Sequence, residues 1–287
     1  MNFRDLIEGA ADIHVHSAPD IDPRRYDDID LAREAARAGM SALVLKSHQN
    51  STVERAIIAS KVVAGIQVFG GLALNESVGG LNPAAVKVAL QLGAKQIWMP
   101  TRSAANHRRF TQAGPGGISI LDEHGIGPAI DEILELIAPT DCVLGTGHLS
   151  PEESLKLVDR AVARGVKKIV ITHPEWNGTY FSVEQQQRLA RWPQVRFERC
   201  FVSTTHRCGF TPMETIAEAI TQVGPESTIL SSDLGQPDTP APAEGLRIYA
   251  EKLIALGIGV DEVRRMMVDQ PRQLLGLQCG APVHAAR

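Results

Sequence analysis

Residues 150–173 read SPEESLKLVDRAVARGVKKIVITH. Ser150 is a helix-capping residue, Pro151 suits the first helical position, and Glu153 three residues on completes the pattern of a capping box. Gly165 stands where that helix should stop. The run Lys167–Thr172 that follows is short and rich in Ile and Val, as a strand buried on both faces requires, and it closes on His173. A capped helix feeding a buried strand is the repeating half of a parallel sheet covered by helices. The same unit recurs along the whole chain. Strand-like runs lie at Ala11–His16, Ser41–Lys46, Gln67–Leu74, Lys95–Met99, Asp141–Gly145, Lys167–Thr172, Val195–Phe201 and Ser227–Ser231. Helix starts are marked by Asn82-Pro83, Gly127-Pro128 and Thr211-Pro212, with further capping-box patterns at Ser51–Glu54 and Thr211–Glu214, and helix ends by Gly39, Gly65, Gly93 and Gly224. Eight units without a linker predict a single-domain (β/α)8 TIM barrel over residues 1–280, with 281–287 a loose tail. No Gly-x-Gly-x-x-Gly opens the first helix, so a dinucleotide fold has no support. The interval Thr101–Gly127 after strand four is too long for a connection. It is expected to be a loop insertion with a small hairpin in its second half. The segment Asp269–Leu277 reads as a last helix packing across the barrel.

The chain has 287 residues, 44% of them hydrophobic and 22% charged, enough apolar material for one sizeable core. Its net charge of −4 leaves no basic surplus for the backbone of a nucleic acid. The segment Met1–Glu8 has no basic stretch followed by an apolar one, and no apolar run approaches the length of a membrane span. The expectation is a cytoplasmic protein that acts on a small molecule, with no nucleic-acid or membrane partner. Cys142, Cys200, Cys208 and Cys279 show no Cys-x-x-Cys spacing and read as buried or incidental thiols.

If the eight runs are barrel strands, their C-terminal ends form the face where such barrels carry chemistry. In Asp12-Ile13-His14-Val15-His16-Ser17 the two imidazoles alternate along the strand, so they project to one side about 7 Å apart, which suits two ligands of one metal ion. His48 follows strand two, His148 strand five, His173 strand six and Asp233 strand eight. Closure brings strands one and eight together, so Asp233 should lie beside His14 and His16, with His148 and His173 across the mouth. Lys46 shares a face with His48, and either can reach the site. The long loop carries Arg102, His107, Arg108 and Arg109, whose guanidinium groups suit a carboxylate or phosphate on a ligand. Trp176 offers an aromatic wall. The acidic stretch Asp20–Asp28 reads as a solvated turn into the first helix, with a border of the pocket as the alternative, and Glu198 as a barrel ion pair with Arg196 or Lys168, with an acid supporting the site as the alternative.

Taken together, His14-x-His16, His148, His173, Asp233 and the closing Gln270-Pro271-Arg272-Gln273-Leu274-Leu275-Gly276 resemble the amidohydrolase superfamily of metal-dependent hydrolases over essentially the whole chain. The resemblance implies one or two divalent ions, commonly zinc with manganese also fitting, held by His14, His16, His148, His173 and Asp233. It implies that metal-activated water cleaves a C–N or C–O bond of a cyclic amide, amide or lactone, the substrate being a small, anionic molecule. Asp233 would carry the proton, His173 would ligate or steady an oxyanion, His48 is a third catalytic candidate, and Lys46, Arg102, Arg108, Arg109 and Trp176 are the substrate-binding candidates. There is one departure. Two-metal members carry a carboxylated Lys or a Glu on strand four, which here ends Ile97-Trp98-Met99-Pro100-Thr101, so Lys46, as a carbamate, or Glu76 would have to bridge. Glu76 with His48 is also faintly similar to the polymerase and histidinol phosphatase family, which makes phosphoester hydrolysis an alternative. Decarboxylation, for which one metal suffices, is another, and a catalytically silent metabolite-binding barrel a third. Barrels of this kind often pair, so a homo-oligomer stays open.

Overall fold

The computed structural model of the chain describes residues 6–277; the expected tail at 281–287 and Cys279 lie outside them. Eight parallel strands follow one another around the barrel: β1 (Ala11–His16), β2 (Ala42–Lys46), β3 (Gln67–Ala73), β4 (Gln96–Trp98), β5 (Val143–Gly145), β6 (Ile169–Thr172), β7 (Val195–Cys200) and β8 (Thr228–Ser231). Backbone bonds from Asp233 N to His14 O (2.8 Å) and from His16 N to Leu234 O (2.8 Å) join the two ends of the sheet. The helices between them are α1 (Asp28–Arg37), α2 (Val53–Val62), α3 (Pro83–Gln91), α4 (Ala105–Thr111), α5 (Pro128–Ile137), α6 (Pro151–Ala163), α7 (Val183–Ala190), α8 (Met213–Val223) and α9 (Pro242–Ala255). The chain then runs through α10 (Val260–Arg264), a π-helical turn (Arg265–Asp269) and α11 (Gln270–Leu274). None of the helices among the described residues is long and apolar enough to cross a membrane.

The unit at 150–173 folds as its sequence dictates. Ser150 accepts from Glu153 N while Glu153 returns a bond to the Ser150 backbone, and Gly165 takes φ +80 just past the helix end. Two expected capping boxes do not form. Ser51 stands one residue outside the cap of α2, which is Thr52, and donates to the Glu54 carboxylate (2.6 Å), while Thr52 gives its hydroxyl to Leu45 O and Gly71 O, stitching β2 to β3; α8 starts from Pro212, whose ring offers no acceptor. A capping box that the sequence reading passed over, Ser182 with Gln185, opens α7. The interval after β4 contains helix α4 as well as the small hairpin Leu121–Asp122/Gly125–Ile126, so its first half is helical where a loop was expected.

Side chains alternate between the barrel interior and the helical layer. Leu43 and Leu45 pack outward under the helices, whereas Ala42 and Val44 face the interior with Val143, Val170, Ile229 and Trp98, and Leu274 and Leu275 of the C-terminal segment close this inner cluster. Trp98 is fully buried there. Its indole needs glycine on both neighbouring strands: a Cβ at Gly71 would stand 2.6 Å from the ring, and one at Gly145 2.7 Å from it.

Strand β1 breaks the alternation once. Asp12 pairs with Leu43 and Val15 with Leu45, so Ile13 and His14 together oppose the single residue Val44, a β-bulge. Below the bulge Ala11 and Ile13 face the interior and Asp12 faces out. Above it Val15 faces out, and His14 and His16 face in. Asp12, outside the barrel, accepts from Ser232 N (3.1 Å) and from the Ser232 hydroxyl, clamping β1 to the end of β8.

Candidate metal centre

At the C-terminal mouth three imidazoles converge on one carboxylate. His14 Nε2 and His16 Nε2 each lie 3.0 Å from Asp233 Oδ1, and His173 Nε2 lies 3.2 Å from Asp233 Oδ2. Two of these residues hold left-handed backbone: His173 has φ +52 and Asp233 φ +49. Left-handed geometry at a residue with a side chain is uncommon and costs about 1–3 kcal/mol when the surroundings impose it. Both strained residues sit one or two positions beyond a strand end and turn their side chains over the barrel axis.

Burial and charge set the protonation of this cluster. Burial alone would lift the Asp233 carboxyl, but the charge of His14 and the hydrogen bonds from His14, His16 and His173 hold it well below the carboxylate range. Burial lowers His14, yet Asp233 and Glu198 outweigh both that and Lys46, and raise it to about 8. Burial takes His16 down to about 3 and lowers His173 as well. Behind His14, the buried Glu198 places Oε1 3.3 Å from Nδ1. Glu198 is therefore not paired with Arg196 or Lys168, which bond to Gln270 and Asp141 instead. Lys46, fully buried, sets Nζ 2.8 Å from His14 Nε2 and 5.3 Å over the Trp98 ring, and burial lowers its pKa.

The donor set fits a divalent cation. Ligand atoms around an ion at about 2.1 Å stand roughly 3.0–3.4 Å from one another, the spacing found between these nitrogens and the carboxylate. Neutral imidazole nitrogen with carboxylate oxygen suits a borderline ion such as zinc or manganese, and a carboxylate behind a ligating histidine is the usual support for one. The ligand atoms that all lie within 4.8 Å of one another are those of His14, His173, Cys200 and Asp233, so Cys200, buried as expected, is a further candidate donor, and His16 stands outside this group. The Cys200 thiol is pushed well above the usual range by burial and then by Glu198, so it is neutral.

The other expected site residues spread around this centre. His148 does not touch Asp233; its Nδ1 lies 2.8 Å from His107 Nδ1, and its ring packs 5.6 Å from His173. His48 sets Nδ1 2.8 Å from the Thr101 hydroxyl, with its ring 4.9 Å from His16. Trp176 packs against His107, Phe110, His148 and His173 at 5.2–6.0 Å. These residues wall a cavity of about 430 Å³ that also reaches His16, Asp233, Arg102, Arg24 and Arg207. Five expected residues do not line it. His14 and Lys46 are fully buried beside Asp233 and Trp98. Glu76, on a short turn after β3, is exposed and pairs with Arg108 (2.6 Å), and Arg109 bonds to Asn106 (2.9 Å), because α4 turns the two arginines away from the mouth. Glu76 is accordingly no bridging ligand here. Arg24 and Arg207 also line the cavity: Arg24 belongs to the stretch for which a border of the pocket was the less favoured reading, and Arg207 to a short helical turn after β7 with no distinguishing pattern of its own.

Fold and site together define a (β/α)8 barrel with a cluster of histidines and one aspartate at its C-terminal mouth. Its architecture is similar to that of an amidohydrolase from Pseudomonas aeruginosa (TM-score 0.66, 11% identity, covering 96% of this chain and 98% of that one). It is also similar to a Pseudomonas putida protein assigned as a 2-pyrone-4,6-dicarboxylic acid hydrolase (0.61, 19%, 93% and 97%), and to 2,6-dihydroxybenzoate decarboxylase from Rhizobium (0.53, 14%, 94% and 99%). By sequence, residues 9–198 match a family of unknown function, DUF6282, and the chain belongs to that family. No curated protein matches it.

Proposed function

We propose that this protein is a metal-dependent hydrolase that cleaves a C–N or C–O bond of a small cyclic amide, amide or lactone. The observation that carries the reading is the convergence of His14, His16 and His173 on Asp233 at the C-terminal mouth of the barrel. A divalent ion, zinc or manganese, would be held by these four residues and would supply Lewis acidity together with water whose pKa falls towards about 7. Asp233 is ionised at neutral pH and open to the cavity, so it takes the proton of the attacking water and returns it to the leaving group. Glu198, with Oε1 3.3 Å from His14 Nδ1, places a negative charge behind that ring and raises its basicity. His148 and Trp176 close the side wall and exclude bulk water from the reacting bond.

Trp98 favours a second reading, decarboxylation. It occupies the interior position of β4 that a bridging ligand would need, which suits a single-ion centre, and one of the similar barrels is a decarboxylase. The experiment is elemental analysis of the purified protein and of His14→Ala, joined to a turnover panel of lactones, cyclic amides and hydroxybenzoates. About one ion per chain, lost in the variant, with acid release from a lactone or amide supports hydrolysis. Carbon dioxide release from a hydroxybenzoate assigns the second reading. Wild-type protein that takes up no zinc or manganese overturns both.

A further inference from the structure

The cavity is chemically two-sided. At its base stand Asp233 and the histidines, along one wall Trp176 and Phe110, and at its rim three guanidinium groups from three different loops: Arg24 after β1, Arg102 after β4 and Arg207 after β7. Each has an aspartate, yet none is used up by it. Arg24 spends Nε and Nη2 on Asp20, Arg102 spends Nη1 on Asp22, and Arg207 spends Nε and Nη2 on Asp238. A guanidinium carries five donors in a fixed fork, so each retains an edge.

Where the partners lie decides what those edges face. The same three arginines also line an adjoining outer cavity of about 360 Å³, and it is this outer cavity that Asp22 and Asp238 border. The inner cavity is lined by the three arginines and by one carboxylate, Asp233, which the histidines already neutralise. Arg24 is the most telling of them. Its side chain is only 2% exposed, so what accessible surface it keeps lies against the two cavities. Its charge is met by the equally buried Asp20 and, at 3.7 Å, by Asp22, so what it offers a ligand is its remaining N–H donors rather than an unpaired charge.

We propose that Arg24, Arg102 and Arg207 form an oxyanion-receiving rim that selects substrates carrying a carboxylate on a planar body laid against Trp176, at the end remote from the bond that reacts. This rests on the hydrolase or decarboxylase reading for the reacting end alone. The volume of about 430 Å³ holds a single ring with its substituents rather than a peptide or polymer. The fork of a guanidinium matches two oxygens of a carboxylate edge to edge, and a phosphate, which it matches as well, is separated from it by the test.

Calorimetric titration of chelator-treated protein reads the rim without turnover, so the result stands whether or not any substrate is hydrolysed. The probes are isophthalate, its neutral isostere isophthalamide, and phenyl phosphate; the proteins are wild type, Arg102→Gln and Arg207→Gln, both at half-exposed positions that tolerate change. Isophthalate should bind at least tenfold tighter than isophthalamide, and that ratio should fall three- to tenfold in each variant while isophthalamide affinity holds. Equal binding of the charged and neutral probes overturns the proposal, as does an undiminished ratio in both variants. Phenyl phosphate binding tighter than isophthalate overturns the carboxylate assignment in favour of phosphate. Thermal unfolding of the variants within a few degrees of wild type excludes loss of fold as the cause.

Discussion

Gly145→Ala is a small change whose consequence the barrel interior sets. An added Cβ would stand 2.7 Å from Trp98 Cδ1 and 3.3 Å from both Trp98 Nε1 and Gln96 Nε2, so the nearest atoms it meets are side-chain atoms, chiefly of the indole. Overpacking of this kind costs about 1–3 kcal/mol. Against it stands the roughly 0.4–1 kcal/mol that replacing glycine contributes by restricting the unfolded chain. Trp98→Leu removes the atoms that are struck. In that background Gly145→Ala should be neutral or slightly stabilising, which makes the coupling between the two positions about 2 kcal/mol. Urea unfolding of the four proteins, with chelator present so that bound ions do not contribute, measures it. The indole also lies 5.3 Å from Lys46 Nζ and its ring 6.0 Å from that of His14, so Gly145→Ala should lower metal content per chain. An equal cost in both backgrounds, with a coupling below about 0.5 kcal/mol, would refute the account of why β5 carries glycine.

His16→Ala should lose metal yet unfold cooperatively, because the inner cluster and the helical layer supply the burial; the melting temperature of wild type, but not of the variant, should rise by a few degrees on adding zinc at about 100 times its Kd. A non-cooperative variant would make the cluster structural. Burial lifts the outward-facing Asp12 from 3.8 to about 6. The folded form then keeps a proton that the unfolded chain loses, so this group's contribution falls as pH rises from about 4 to about 6, by roughly 3 kcal/mol. Asp12→Asn should therefore gain on wild type over that window; a stability difference that is flat between pH 4 and 7 would contradict it. Glu175→Ala leaves the fully buried Arg199 without its carboxylate and should cost about 3–5 kcal/mol in denaturant unfolding, with a cost under about 1 kcal/mol refuting the pairing.

The barrel was legible because each unit repeats independent local signals: a cap, a helical stretch, a stopping glycine and a β-branched run. The residues meeting at Asp233 were legible for a related reason, since the end of a parallel strand is a fixed place in a barrel. What depended on the course of a loop was not. Arg108 and Arg109 looked like mouth residues until α4 turned them outward, whereas Arg24 sat in a stretch whose charges suggested solvent. The partner of Glu198 could not be chosen from sequence because it is His14, nearly two hundred residues away, and the same distance hid the approach of the buried Cys200 to that ring. The bulge at Ile13 and His14 was not legible either, since period-two alternation has no means of announcing an extra residue.

That extra residue makes β1 a phase device. Its lower half is in step with the packing of the barrel and its upper half in step with the cluster around Asp233, and one surplus position lets a single strand serve both. The site is consequently more vulnerable to the count of residues than to their kind. A chain lacking one residue between Asp12 and Val15 would retain the other ligands in unchanged order, yet it would have to give up the inward facing either of Ala11 and Ile13 or of the two histidines. Descent within this family should therefore tolerate many substitutions along β1 and very few insertions or deletions.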